Sequence, residues 1–375
     1  MNYNTVYVGM DVHKESFTLC CMTLEMEKAK YTMKTEADYK KILVYLDTMR
    51  GEFYGEDTHF VCGYEAGCLG YTLYHQLTAA NVECIIMAPS TMAVEGNKGK
   101  KRIKTDKRDA ENIAKCLAHR LYSPVHIPTD EELQIKEYVR MRDDHKHQLK
   151  SIKQQILSFC LRHGLKCDTS KSNWTIAHLK WLRSLEIEPL YKEILSEYLT
   201  TYDQLTDKIE RFDKRIEQLA NGDNYKENVD HLRCFIGIET HTALSIIAEV
   251  GDFKRFADAD KFASYLGLAP GEDSSGDTQN RLGITKAGNQ HLRRLLTEAA
   301  QCYARGSVGH KSKALKARQS GNPTEVIAYA DKANERLRRK YYKMVLNGKN
   351  RNTAKTAIAR ELACFVWGMM TGNIY

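Results

Sequence analysis

The chain has 375 residues, 42% hydrophobic and 28% charged, the make-up of a folded protein of two or three domains and not of a disordered one. Its 56 Lys and Arg exceed its 48 Asp and Glu by +8, and the cations are clustered, so a polyanionic partner stands beside simple solubility as the meaning of that charge. Eleven scattered cysteines without a CxxC pair exclude a zinc ribbon or a dithiol redox motif, and no stretch approaches about 18 apolar residues, so the expectation is a reduced, cytoplasmic protein with no signal peptide and no membrane span.

Residues 5–34 predict strands, because TVYVGMDV, SFTLCCMTL and KAKYTM are rich in β-branched and aromatic residues, with a polar break at His13–Glu15. An amphipathic helix is expected at about 36–50, with Ile42, Leu43, Leu46 and Met49 on one face. Strand HFVCGYEA, a helix through Tyr71–Ala80, strand VECIIMAP, a basic loop and helix TDKRDAENIAKCLAHR follow. This alternation describes an α/β sheet domain over residues 1–127, closed by Pro124 and Pro128.

The region 128–227 changes period. Tyr138, Met141, His145, Leu149, Ile152, Ile156 and Phe159 recur in steps of three or four, and Tyr198, Tyr202, Leu205, Ile209, Phe212, Ile216 and Leu219 keep a 4-3-4-3-4-3 spacing. Two long helices with a heptad seam are predicted, forming an antiparallel hairpin, a dimerising coiled coil or simply core within one chain. The third region, 228–375, reads as helical, opening with a helix-hairpin-helix-like stretch around Gly237 and interrupted by the polar PGEDSSGDTQNRLG. Further helices are expected at about 285–305, 323–346 and 351–371.

Four acids stand out. Asp11 ends the first strand, Glu65 ends a later one, and Asp106 and Asp109 lie three apart where Thr105 can cap a helix. Each alone has a plain explanation as a turn former or a dipole-favoured acid in a first helical turn. Together they offer the oxygen ligands that Mg²⁺ takes, and two such ions can clamp the attacking and leaving oxygens of a phosphodiester displacement. Lys98, Lys100, Lys101, Arg102, Lys104, Lys107 and Arg108 surround Asp106 and Asp109 in sequence, which suits a phosphate backbone held against acids. Farther on, Ser274 and Ser275 sit between Gly271 and Gly276 and precede Arg281, Lys286, Arg293 and Arg294. An exposed serine among cations is what attack on phosphorus needs, although Ser-Ser-Gly is also an ordinary turn.

Taken together, GMDVHK, YEAG, KTDKRDA and GLAPGEDSSG…ITKAGNQHLRRLL resemble the DEDD transposases of insertion sequences, related to the Piv and MooV invertases, over nearly the whole chain. The resemblance implies a ribonuclease-H-like (RuvC-like) N-terminal domain, a coiled-coil middle and a C-terminal transposase domain. It implies Asp11, Glu65, Asp106 and Asp109 as Mg²⁺ ligands. Ser275, the serine immediately before a glycine, is implied as the nucleophile of a covalent serine–DNA intermediate, with Ser274 adjacent. It further implies donor and target DNA, a structured guide RNA, and a homo-oligomer, a tetramer built from dimers. A Holliday-junction-resolvase-like nuclease would use the same acids with water. A sugar-kinase or actin-like ATPase would need a second glycine-rich loop, which this sequence lacks, and a domesticated copy would bind nucleic acid without cutting it.

Overall fold

A computed structural model describes residues 5–67, 69–92, 105–168, 170–272 and 281–374. The chain divides into two compact units, Met1–Ile127 and Pro128–Tyr375.

In the first unit a five-stranded sheet is built from β1 (Thr5–Val12), β2 (Ser16–Met22), β3 (Lys30–Glu36), then, after helix α1 (Tyr39–Met49), β4 (His59–Glu65), helix α2 (Thr72–Ala79) and β5 (Glu83–Met87). The strand order is β3-β2-β1-β4-β5, with β1, β2 and β3 antiparallel and β1, β4 and β5 parallel. Strand periodicity sends Val6, Val8 and Met10 to one face, where they pack with Ile42 and Leu46 of α1 and Leu73 and Leu77 of α2. The other face is covered by α3 (Asp106–Ala118), through Ala110 and Ala114 against Cys20 and Met22, and Ile113 and Leu117 against Val61 and Met87. Helix α1 starts later than its hydrophobic pattern suggests. Strand β3 extends to Glu36, and the Asp38 side chain caps the helix by accepting from the Lys40 amide at 2.9 Å.

The second unit opens with α4 (Asp130–Arg162), α5 (Ile176–Ser184) and α6 (Pro189–Ala220). A full capping box at Thr129 and Glu132 fixes the start of α4, and Pro189 begins α6 where its missing amide hydrogen costs nothing. The heptad seam is buried within this one chain. Leu149, Ile152, Ile156 and Phe159 of α4 pack with Leu195, Leu199, Tyr202, Leu205 and Ile209 of α6. Nearer the start of α4 the buried positions become Ile135, Val139 and Asp143, because that stretch leaves the seam to join the C-terminal core.

That core is formed by α7 (Lys226–Leu232), α8 (Thr240–Val250), α9 (Ala259–Tyr265), a small ladder of β6 (Pro270–Glu272) and β7 (Arg281–Ile284), α10 (Gln290–Ala300), α11 (Lys313–Gln319), α12 (Thr324–Leu346) and α13 (Arg351–Thr371). Ile135 and Val139 of α4 and Ile216 and Ala220 of α6 belong to it, so the regions read at 128–227 and 228–375 share one compact unit. Among the described residues no helix is long and apolar enough to cross a membrane.

Candidate active site

The carboxylates of the first unit are arranged by sheet register. Across the sheet Lys34 pairs with Thr18 and Thr18 with Asp11, while Met10 pairs with Tyr64, so one further step along the parallel strands brings Glu65 beside Asp11. Side chains two apart share a face, and Gly9, two before Asp11, lies against α3. An added Cβ at Gly9 would fall 2.3 Å from the Ala110 carbonyl oxygen and the Ala114 amide nitrogen. Only glycine lets the helix come that close, and that approach sets its first turn near the end of β1. There Thr105 caps α3 by accepting from the Arg108 amide. Asp106 and Asp109 then lie half-buried on one side, with Lys107 and Arg108 exposed on the other.

One oxygen or nitrogen each from Asp11, His13 and Asp106 lies within 4.8 Å of the others. His13 Nε2 is 3.1 Å from Asp11 Oδ2 and 4.0 Å from Asp106 Oδ1, and Lys34 Nζ donates to Asp106 Oδ2 at 2.8 Å. Burial raises the Asp11 carboxyl; His13 opposes that, and Asp109 and Asp106 push it higher still. Asp106 is lowered by its hydrogen bond and charge contact with Lys34. Glu65 and Asp109 are not members of the close group: Glu65 is exposed at its strand end, and Asp109 acts on Asp11 through its charge.

The donor set fits a divalent cation. A half-buried carboxylate with two acids acting on it is held in a low-dielectric setting that a cation would relieve. His13 and Lys34 escaped the sequence reading. The Asp-Val-His spacing could have flagged His13, whereas Lys34 is brought in by the β3–β2–β1 register, which the sequence does not print.

Ser274, Ser275 and the cations Lys98, Lys100, Lys101, Arg102 and Lys104 lie outside the described residues. The strands on either side of the serines are described. Pro270 pairs with Ile284 and Glu272 with Arg281. The base of the ladder is locked by two motif glycines at positive φ, Gly267 (+66°) and Gly288 (+113°). An added Cβ would sit 2.4 Å from the Ala287 oxygen at Gly267 and 2.1 Å from the Tyr265 oxygen at Gly288. Backbone bonds from Lys286 N to Gly267 O (3.1 Å) and Asn289 N to Tyr265 O (2.9 Å) close it.

Beyond the ladder, buried charge ties the ITKAGNQHLRRLL motif to the rest of its unit. Asn289 caps α10 by accepting from the Leu292 amide, and its side-chain amide donates to Glu249 Oε2 at 3.1 Å. Glu249, with a fully buried side chain, accepts from Arg140 at 2.6 and 3.0 Å and lies 3.6 Å from Lys136. Arg294 pairs with Asp143, which also has His241 Nε2 at 3.1 Å, and Arg293 donates to the Leu266 carbonyl at 2.8 Å. Arg293 and Arg294 therefore hold protein groups, because their helix face is turned inward. Lys286 is exposed, and Arg281 begins β7.

Comparison with known proteins matches both units. A transposase model of the DEDD IS110 type covers residues 8–163, and the model described as "Transposase IS116/IS110/IS902 family" covers 229–317. The chain is 32% identical to the transposase for insertion sequence element IS1533 of Leptospira borgpetersenii, over 90% of this chain and 95% of that protein. It is 24% identical to the transposase for insertion sequence element IS1111A of Coxiella burnetii, over 87% and 86%. It is also 24% identical to the pilin gene-inverting protein of Moraxella lacunata, over 77% and 80%.

Proposed function

The chain belongs to the IS110 family of insertion-sequence DEDD transposases, enzymes that cut and transfer DNA strands, and from that premise we propose how its residues perform the reaction. The sheet domain is a ribonuclease-H-like fold, a reading supported by its β3-β2-β1-β4-β5 order. Asp11, Glu65, Asp106 and Asp109 hold Mg²⁺, which when bound supplies charge to a phosphodiester undergoing displacement. The observation that carries this reading is the approach of Asp106, at the mouth of α3, to Asp11, at the end of β1.

Ser275 is the nucleophile, the assignment resting on the family resemblance and on its place between β6 and β7. Its Oγ forms a bond to phosphorus while the scissile P–O bond breaks, and the proton passes to the departing DNA hydroxyl. Attack by the hydroxyl end of another strand then reverses the exchange and restores the serine, so no outside energy source is required. Lys98, Lys100, Lys101, Arg102, Lys104, Arg281 and Lys286 hold phosphates around the two centres. A structured non-coding RNA guides the choice of donor and target DNA, as the resemblance implies, and RNA sequencing of the purified protein tests that part.

Assembly is assigned to the arm of α4, α5 and α6. Its seam is filled by its own chain, but Leu161, Ile176 and Leu190 are 82%, 89% and 67% exposed on the arm. Apolar side chains so open to water suit a contact between copies in a homo-oligomer.

Calorimetric titration with Mg²⁺ or Mn²⁺ tests the metal reading, with Asp11→Asn and Asp106→Asn expected to lose binding while circular dichroism stays unchanged. Wild-type affinity in both variants would remove these acids from the site. Mixing Ser275→Ala with Asp11→Asn protein restores cleavage if the centre is completed between subunits.

A further inference from the structure

The basic charge of this chain is concentrated near its end. Residues 305–361 contain 15 of the 56 Lys and Arg but only four of the 48 Asp and Glu, so that segment carries +11 and the remaining 318 residues are net −3. It runs well past residue 317, where the matched C-terminal family model ends.

On α12 the cations are also ordered. Lys332, Arg336, Arg339, Lys340 and Lys343 are all exposed, and at 3.6 residues per turn they fall within an arc of about 100°. The adjoining side buries Val326, Ala330, Ala333, Leu337 and Tyr341 in the core, which fixes the rotation of the helix and keeps the row at the surface. Glu361 of α13 accepts from both Arg336 and Lys340, and Glu335 from Arg339, yet the two arginines remain 67% and 69% exposed. In sequence the cations continue through the turn into α13 as exposed Lys349 and Arg351, which like Lys343 have no ion-pair partner among the described residues.

We propose that this face, Lys332 to Lys343 of α12 continued by Lys349 and Arg351, is a docking surface for the phosphate backbone of duplex DNA, built from residues other than the carboxylates and the serine. The assignment rests on the reading that the chain works on DNA. Three features choose a duplex. The row is straight and about 16 Å long, near half of one 34–36 Å turn of the double helix. It carries charge without acceptors shaped to read bases, which matches contacts that position and do not specify. It also lacks the stacking ring that a single-strand groove uses: Tyr329 and Tyr341 are buried, and the Tyr342 hydroxyl donates to the Gly306 carbonyl at 2.7 Å.

The test is a salt titration of full-length protein binding to two unrelated duplexes of about three helical turns, and to an RNA hairpin. The triple variant Lys343→Gln, Lys349→Gln, Arg351→Gln removes exposed, unpaired charge and leaves every described ion pair intact. Its slope of log affinity against log salt should be flatter by about 2 to 3, with affinity lower by on the order of tenfold at moderate salt, equally on both duplexes. Wild-type binding to duplex with an unchanged slope in the variant overturns the α12 face alone. A loss confined to the hairpin also overturns it and makes RNA the occupant. Wild-type protein that binds neither duplex overturns this assignment together with the DNA reading beneath it.

Discussion

The carboxylates of the first unit and the ladder that flanks Ser275 in the second are held by different means. Sheet register places Lys34, Thr18 and Asp11 in one row, and a helix pressed against Gly9 delivers Asp106 to its end. The ladder has only two short strands. It is held by close backbone approaches at Gly267 and Gly288, and by Asn289, whose side chain reaches the buried Glu249. The ends of central strands can carry a dense group of charges because the register does not depend on them. A short ladder on helices needs buried ion pairs to fix its direction, and that makes its geometry sensitive to the charge state of Glu249 and Asp143.

The largest expected effect separates chemistry from scaffold. Asp106→Asn should lower strand cleavage on the order of a hundredfold to a thousandfold, as loss of one charge-bearing group at a reaction centre does, with an unchanged thermal transition. Cleavage at the wild-type rate under saturating Mg²⁺ would detach α3 from the chemistry.

Next comes the buried pair. Glu249→Ala removes the buried acceptor shared by Arg140, Lys136 and Asn289, and should destabilise the second unit by about 1.5–3 kcal/mol in urea titrations. Trp174, Trp181 and Trp367 are the chain's three tryptophans and all lie in that unit, so fluorescence reports its unfolding alone. An unchanged midpoint would show that the ladder does not depend on this network.

Acid should act on the same network in a defined direction. Burial raises both carboxyls, but His241 and Arg294 around Asp143, and Arg140, Lys136 and Asn289 around Glu249, together bring each below its ordinary value. A carboxyl lowered in the folded state stabilises the fold above its unfolded value and loses that contribution as pH falls through the folded one. The tryptophan-monitored melting temperature should therefore begin to fall below about pH 4.5. A melting temperature that rises between pH 5 and pH 3 would contradict the assignment.

A smaller effect tests how closely α3 must approach the sheet. Gly9→Ala meets backbone atoms at 2.3 Å and should cost about 1–3 kcal/mol while also slowing cleavage, since the shift moves Asp106. Gly63→Ala meets the Leu117 and Met87 side chains at 3.0–3.2 Å, which can rotate away, and should do less on both counts. Equal effects would mean that close approach at Gly9 is not what sets the site.

Most of the first unit was legible in the sequence, since its strands are rich in β-branched and aromatic residues and its acids fall at strand ends or behind a capping threonine. Its electrostatic partners were not: Lys34 is 23 residues from Asp11 and meets the site through register. In the second unit the long helices were visible from their heptads, but whether the seam faced a second chain was not, because the same spacing serves a hairpin and a dimer. The inward turn of Arg293 and Arg294 was equally hidden. Their acceptors, Asp143 and the Leu266 carbonyl, lie 151 and 27 residues away.

The most direct test of the proposed chemistry is to trap the protein on a nicked duplex that lets the cleaved strand diffuse away, and to weigh the product by mass spectrometry. Wild-type protein and Ser274→Ala should each form a phosphoserine-linked DNA adduct in Mg²⁺. Ser275→Ala should form none while binding the duplex normally, and Asp11→Asn should form none for want of metal. A DNA adduct on Ser275→Ala protein, or cleavage by wild type that leaves every chain unmodified, would contradict the serine mechanism.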